Sequence, residues 1–156
     1  MYVVDTDNGK KLKALISEVD ESDFKTLTKS KYYFDWSTEK DFELYKLIIE
    51  GKFEILGLIS LVRIPDELRI HISLLTVSKD NVGKGKKYEN IAANLLTHAS
   101  EIAIIEYAEF ACVSLKPKGR IAQHYIDKYD MNVTGATLSL ELVEILNLIN
   151  TYDHEK

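Results

Sequence analysis

Two prolines, Pro65 and Pro117, and one cysteine, Cys112, are all that the 156 residues hold of either type. A single thiol closes no intramolecular disulfide, which points to a reducing, cytoplasmic compartment. With so little proline and no Gly-rich or low-complexity stretch there is no linker to cut the chain, so residues 1–156 read as one domain, long enough to bury a core. No apolar run approaches the roughly 18 residues of a membrane span, and the opening "MYVVDTDNGKK" has no secretory pattern. Positive charge is also in deficit. A formal net charge of −5 argues against nucleic acid as a partner. What remains is ordinary for a globular protein, 46% apolar and 29% charged residues.

The texture changes along the chain. "KLKALISEVDESDFKTLTKS" mixes apolar and charged residues at loosely helical spacing and reads as one or two short helices. "YYFDWS", "FELYKLII" and "EILGLISLVRI" are rich in aromatic and β-branched residues and read as strands, with Gly51 supplying positive φ at a hairpin turn. Pro65-Asp66 makes the next turn. In "ELRIHISLLTVS", Leu68, Ile70, Ile72 and Leu74 alternate with Arg69, His71 and Ser73, as a half-buried strand requires. The alternation breaks at Leu74-Leu75, which suggests a bulge. Beyond residue 90, Ile91, Leu95, Leu96, Ala99, Ile102 and Ala103 recur at steps of three and four, an amphipathic helix. "EFACVSL" is a short strand, "GRIAQHYIDKY" a helix, "MNVTGATLSL" a strand or hairpin, and "LELVEILNLINTY" a helix or long strand. This order describes a mixed α/β (α+β) domain.

Between the long strand and the long helix stands "NVGKGKKYENIAANLL", residues 81–96. The first N–H groups of a helix lack internal partners and carry the positive end of its dipole, so an anion binds there without any special side chain. Gly83 and Gly85 permit a tight path, and Lys84, Lys86 and Lys87 add attraction. The same residues equally describe a solvated basic turn. A P-loop fails for want of Ser or Thr after the lysines, and a dinucleotide fingerprint fails because Tyr88 stands where its third glycine belongs.

A third pattern fits. From "ELRIHISLLTVS" through "YENIAANLLTHA" the chain resembles the acetyl-CoA-binding strand, loop and helix of the GNAT N-acetyltransferase superfamily, whose loop reads Arg/Gln-x-x-Gly-x-Gly/Ala. Lys87 takes the Arg/Gln place, Asn90 the first Gly and Ala92 the second. Downstream, "KGRIAQHYIDKYDM" is similar to the family's Asn-x-x-Ala-x-x-x-Tyr-x-x-x-Gly-Phe, with Lys118, Ile121, Tyr125, Asp130 and Met131 at the named positions. A subset of bacterial GNAT-like proteins also looks similar through "YYFDW", "LYKL", "GLISL", "NVGKGKKY" and "HY", so the resemblance spans roughly residues 30–145.

The resemblance implies a mostly antiparallel central sheet flanked by helices, with a splayed central strand pair, and direct acetyl transfer from acetyl-CoA to an amine without a metal. It implies that the N–H near Val77 meets the acetyl carbonyl, with Leu75 and Thr76 along the pantetheine. Gly85, Lys87, Tyr88, Glu89, Asn90, Ile91 and Ala92 would surround the pyrophosphate, and Lys118 and Tyr125 would complete the cofactor site. Tyr125 would protonate the departing thiolate. Two departures stand out: Asn90 and Asp130 replace glycines.

The general base is less well marked. Relatives use a Glu on or beside the central strand, and here the strand ends in Thr76 and Ser78. Glu67 and His71 lie earlier on it and Glu54 before it. His71 has a suitable ordinary pKa, and it reads equally as a hydrogen-bonded strand histidine. Tyr125 beside Ile121 also reads as core. His98 and His124 lack metal-site spacing with Cys112, Cys112 reads as a buried small residue, and Trp36 with Tyr32, Tyr33 and Phe34 as core. The apolar stretch from Leu138 to Ile149 suits internal packing or a homodimer contact. Beside the acetyltransferase stand two alternatives: a CoA-binding module that kept the fold and lost efficient catalysis, and a polyanion binder acting through Lys79, Lys84, Lys86 and Lys87, which the overall acidity disfavours. The amine acceptor itself, small molecule or protein, is not legible.

Overall fold

A computed structural model describes residues 1–117 and 121–153. Among the described residues nine strands are hydrogen-bonded in the order β6-β1-β2-β3-β4-β5-β7-β9-β8. They are β1 (Tyr2–Asp5), β2 (Lys11–Glu18), β3 (Glu43–Ile49), β4 (Gly57–Ile64), β5 (Arg69–Val77), β6 (Tyr88–Glu89), β7 (Cys112–Leu115), β8 (Asn132–Thr134) and β9 (Thr137–Leu140). The helices are α1 (Lys29–Tyr32), α2 (Ile91–Tyr107), α3 (Ala122–Tyr129) and α4 (Leu142–Tyr152). The pairs β1–β2, β1–β6, β2–β3, β7–β9 and β8–β9 are antiparallel, and β5–β7 is parallel. The mixed, mostly antiparallel sheet with helices is therefore as expected. Among the described residues no helix is long and apolar enough to cross a membrane.

The chain divides into two compact units, one formed by Met1–Ser60 and Leu74–Leu95, the other by Leu61–Ser73 and Leu96–Lys156. In the first, β1 and β2 form a hairpin over Gly9 at φ 70, and β2 continues the ladder to β3 from Ala14↔Ile49 to Glu18↔Tyr45. The expected helix over Lys11–Glu18 is thus a strand. Its Leu12, Ala14 and Ile16 turn inward at every second place, and the exposed Leu15 between them obscures that period in the sequence. Helical turns begin only after Asp20, as a 3-10 turn at Glu21–Lys25 and then α1, which Thr28 caps by accepting the Lys31 N–H at 3.4 Å.

"YYFDWS" is likewise not a strand. Tyr33 leaves α1 at φ 70, and Asp35 caps a second 3-10 turn, Trp36–Glu39. Tyr33, turned out by its left-handed backbone, is exposed, but Tyr32 and Trp36 do form core, packing with Leu27, Leu44, Ile55 and Leu58, with Phe34 against them. Their polar atoms are satisfied there, the Tyr32 hydroxyl donating to Ile55 O at 2.8 Å and the Trp36 indole N–H to Tyr32 O at 3.1 Å. Gly51 has the expected positive φ, 83.

Leu68 is not part of β5. It sits at φ 52 after the 3-10 turn Pro65–Glu67 and is exposed. From there burial keeps one parity: Ile70, Ile72, Thr76 and Ser78 are buried, and Leu74 between them is half-buried and packs against the core around Trp36. The double leucine therefore marks no change of face and no bulge is needed to explain it. In α2 burial runs round most of the helix up to Ser100, including Asn94, Thr97 and Ser100, rather than along one stripe.

The second unit pairs Arg69–Ile72 with Cys112–Leu115, and Val113–Leu115 with Leu138–Leu140. β8 and β9 form the expected hairpin, turning at Gly135 with φ 63. α4 buries Ile145 and Leu148 against this sheet. Phe110 lies outside β7 and is exposed, and Cys112, opposite Arg69, is only half-buried.

Candidate active site

The last residues of β5 have one bonded edge and one open edge. The N–H of Ser78 donates to Leu56 O at 2.8 Å, on the β4 side. Backbone groups alternate in direction along a strand, so Thr76 points the same way and Leu75 and Val77 point to the opposite edge. That is the edge on which β7 pairs, and its register ends at Ile72↔Leu115. The ladder stops there because β7 itself ends at Leu115. Of the three residues expected along the cosubstrate, Leu75 and Val77 aim their amides at the open edge. Thr76 does not, and its buried hydroxyl donates to Val77 O at 3.3 Å.

From Ser78 to Lys87 the chain makes a ten-residue excursion between β5 and β6, ahead of α2. A 3-10 turn, Lys79–Asn81, is followed by a turn in which Gly83 has φ 79 and its carbonyl accepts the Lys86 N–H at 3.4 Å. The neck is closed by Asn81 and Thr6. Asn81 Nδ2 donates to Ser78 Oγ at 2.8 Å, and its Oδ1 accepts the Tyr88 N–H at 2.9 Å. Thr6 Oγ1 donates to Lys86 O at 2.8 Å and contacts Lys87 O at 3.1 Å, while β6 pairs with β1. Lys87 N–H donates to Asp80 O at 3.3 Å. Thr6, Asp7, Lys79, Asp80, Lys86 and Lys87 surround an open cleft of about 520 Å³ that also reaches Gly85.

The expected phosphate donors therefore separate into two groups. The Lys87 and Tyr88 amides are already bonded within the loop, and Glu89 is in the β-ladder opposite Val4. Asn90 has φ 74 and its carbonyl accepts the first helical bond, from Asn94 at 3.1 Å, so Ile91 and Ala92 are first-turn residues whose N–H groups have no partner inside the helix. Asn90, not Gly83 or Gly85, makes the turn into α2. Gly57 explains how close that turn can come to β5. A Cβ there would lie 2.6 Å from Ile91 Cγ2, 2.9 Å from Leu95 Cδ1 and 3.1 Å from Thr76 O. A thioester with a diphosphate tail fits these residues: open strand amides at Leu75 and Val77, and a helix entry held tight against the same strand.

Tyr125 lies in the other unit, on α3. It is buried with its ring 6.0 Å from those of His124 and Tyr129, and burial pushes its phenol up to about 12, so it holds its proton at neutral pH. Asp130 ends α3 at φ 56, its N–H donating to Ile126 O at 3.0 Å, and Met131 is buried next to it. Both glycine positions of the resembling motifs thus hold left-handed backbone, and both are filled by Asn or Asp, the side chains that best tolerate it. Lys118 lies outside the described residues.

The candidate bases are brought together with each other. Arg69 Nε donates to Glu67 Oε2 at 2.6 Å, Arg69 Nη1 donates to Ser114 Oγ at 2.6 Å, and His71 Nδ1 lies 2.9 Å from Ser114 Oγ and 3.2 Å from Arg69 Nη1. Burial and then the Arg69 charge push the His71 pKa down, with Glu67 pulling weakly the other way. Six residues of one continuous strand separate His71 from Val77. At a strand rise of about 3.3 Å per residue that is roughly 20 Å, too far for a proton transfer at the Val77 amide. Glu67 precedes the strand, and Glu54, in the β3–β4 connection, pairs with Lys31 at 3.6 Å. The strand-histidine reading accounts for His71. Asn81, Thr6 and Gly57 were not singled out by sequence reasoning, because an Asn inside a lysine-rich turn carries no sign that it is buried.

No protein-family profile matches the sequence, and no curated protein matches it. Solved structures do resemble it. A point mutant of the spermidine N-acetyltransferase from Vibrio cholerae is 8% identical with a TM-score of 0.59, over 92% of this chain and 99% of that one. An acetyltransferase of the GNAT family from Staphylococcus aureus is 14% identical with a TM-score of 0.58, over 81% and 98%. A Bacillus subtilis acetyltransferase in complex with CoA is 16% identical with a TM-score of 0.52, over 85% and 99%. At these identities the likeness is one of architecture, and it agrees with the mixed, mostly antiparallel sheet and its helices: the chain has the GNAT fold.

Proposed function

We propose that the chain, as a single acetyltransferase domain over residues 1–156, transfers acetyl from acetyl-CoA directly to an amine, without a metal. The observation that carries this reading is the helix entry at Asn90, φ 74, packed through Gly57 against the strand whose Leu75 and Val77 amides are open. Acetyl-CoA supplies an activated acyl group on a thiol leaving group. The Val77 N–H holds the carbonyl oxygen and stabilises the charge that grows on it. The Ile91 and Ala92 amides, with the positive end of α2 behind them, hold the diphosphate. Lys87 adds charge from its side chain and Gly85 leaves room for the phosphates. The resemblance adds Lys118 to the cofactor contacts and gives Tyr125 the role of proton donor to the departing thiolate. The burial that keeps Tyr125 protonated also makes a thiolate formed beside it more basic.

No side chain is assigned to deprotonating the amine. Residues 73–78 are Ser, Leu, Leu, Thr, Val and Ser, and Glu67 and His71 belong to the Arg69 cluster. The acceptor enters as the free amine, so turnover rises with pH as that fraction grows. The same gap favours a second reading, a CoA-binding module with little catalysis. A cytoplasmic location and a homodimer built on the exposed Val143 and Leu146 of α4 go with either.

The test is thermal unfolding with and without CoA and acetyl-CoA. A ligand binding only the folded chain at about 100 times its Kd adds about 2.7 kcal/mol, a rise of several degrees. No rise at millimolar ligand removes both readings. Given binding, Tyr125→Phe separates them: the enzyme loses turnover on a panel of amines and keeps its CoA affinity, whereas the binding module has no turnover to lose.

A further inference from the structure

We propose that Asn81 is a positioning residue for the diphosphate: its side chain closes the neck of the excursion between β5 and β6 and so sets the backbone that enters α2. The inference rests on the acetyl-CoA reading and adds a residue to which that reading gives no role.

The excursion is made of exposed, charged residues, Lys79, Asp80, Lys84 and Lys87 among them, yet Asn81 in its midst is only 6% exposed. Its two polar atoms bridge Ser78 and Tyr88, points ten residues apart on the backbone's path. Nδ2 donates to the hydroxyl of Ser78, the residue whose own N–H anchors the end of β5 to Leu56. Oδ1 takes the N–H of Tyr88, two residues before Asn90. Tyr88 is itself buried, and its partner strand β1 holds it from the other side.

The amide of Asn81 is thus the direct link between the strand that would bear the acetyl group and the residue pair that leads into the helix entry. Without it the Tyr88 N–H is left unpaired in a buried position, and the segment Tyr88–Asn90 is held only by the β1 ladder and the bonds of its neighbour Lys87 to Asp80 and Thr6. The turn from Val82 to Lys86 lies outside this link. The residues beyond the link keep their register whatever the turn does, which makes Asn81 and not the glycines the determinant of cradle geometry.

The experiment measures CoA binding by calorimetry in the wild-type chain and in Asn81→Ala, with amide hydrogen exchange on both. The expected result is a Kd about tenfold weaker in Asn81→Ala, faster exchange confined to Tyr88 and the entry to α2, and unchanged exchange in β2 and β3. Equal Kd values within twofold, or unchanged exchange at Tyr88, overturn the proposal. Failure of the wild-type chain to bind CoA is a separate result, which overturns the acetyl-CoA reading and this inference with it. Asn81→Asp is the second variant, read by exchange alone because its charge would act on phosphate directly. Its carboxylate accepts both the Tyr88 N–H and the Ser78 hydroxyl, so protection at Tyr88 returns; continued fast exchange there overturns the proposal. Should Asn81→Ala not fold, Ser78→Ala takes its place in the binding measurement, with a weaker Kd expected and an unchanged one overturning the role.

Discussion

Asn90 and Asp130 show what a residue can carry that its motif does not. Both stand where the resembling motifs have glycine, and both hold left-handed backbone, at φ 74 and φ 56. An Asn in that region still costs more than a glycine, which has no Cβ to strain. Asn90→Gly is therefore expected to leave CoA binding intact and to raise stability by up to about 0.5–1 kcal/mol, offset partly by the freer unfolded chain. Asn90→Val is expected to lose about 1–2 kcal/mol and weaken CoA. Urea denaturation of the two variants checks both signs, and a Val variant as stable as wild type would show that the helix entry does not need the left-handed turn.

At the scale of elements, α2 is held against β4 and β5 by the absence of a side chain. Gly57 opens β4 where the first turn of α2 crosses it, and an added methyl would stand 2.6 Å from Ile91 and 3.1 Å from the Thr76 carbonyl. The Ile91 side chain has room to turn, but the carbonyl does not. Gly57→Ala is expected to cost about 1–3 kcal/mol and to lower CoA affinity more than its stability loss explains, since the displaced element is the one bearing the Ile91 and Ala92 amides. Binding measured well below the unfolding midpoint, beside denaturant melts, separates the two effects. An Ala variant with wild-type values for both would mean that α2 yields without consequence.

For the whole molecule, the Glu67–Arg69–His71–Ser114 cluster sets a dependence of stability on pH. The folded His71 titrates below its ordinary 6.5, through burial first and the Arg69 charge second. As pH falls the unfolded chain takes up this proton before the folded one, so the contribution is complete above about 6.5 and is lost as pH drops through the folded value. The stability difference between wild type and His71→Gln is then flat from pH 7 to 8 and moves against wild type below about 6.5. Guanidinium midpoints across that range read it out, and a difference that stays level down to pH 5 would show that His71 titrates normally.

The strands from Glu43 to Val77, the long helix after residue 90 and the hairpin near Gly135 were legible from residues alone, because alternation, three-and-four spacing and turn residues are local properties of the chain. So was the place of the turn into α2, through the resemblance at Lys87, Asn90 and Ala92. Three things were decided only in three dimensions. β2 is a strand because β1 and β3 pair with it on both edges, although its own residues suit a helix nearly as well. Lys87 and Tyr88 lose their amides to Asp80 and Asn81, partners that only the closed excursion brings within reach. His71 is set apart from the end of its own strand simply by the length of six extended residues, a distance that residue type does not record. Residue type tells which groups can bond or titrate; which of them meet is decided by pairing across the fold.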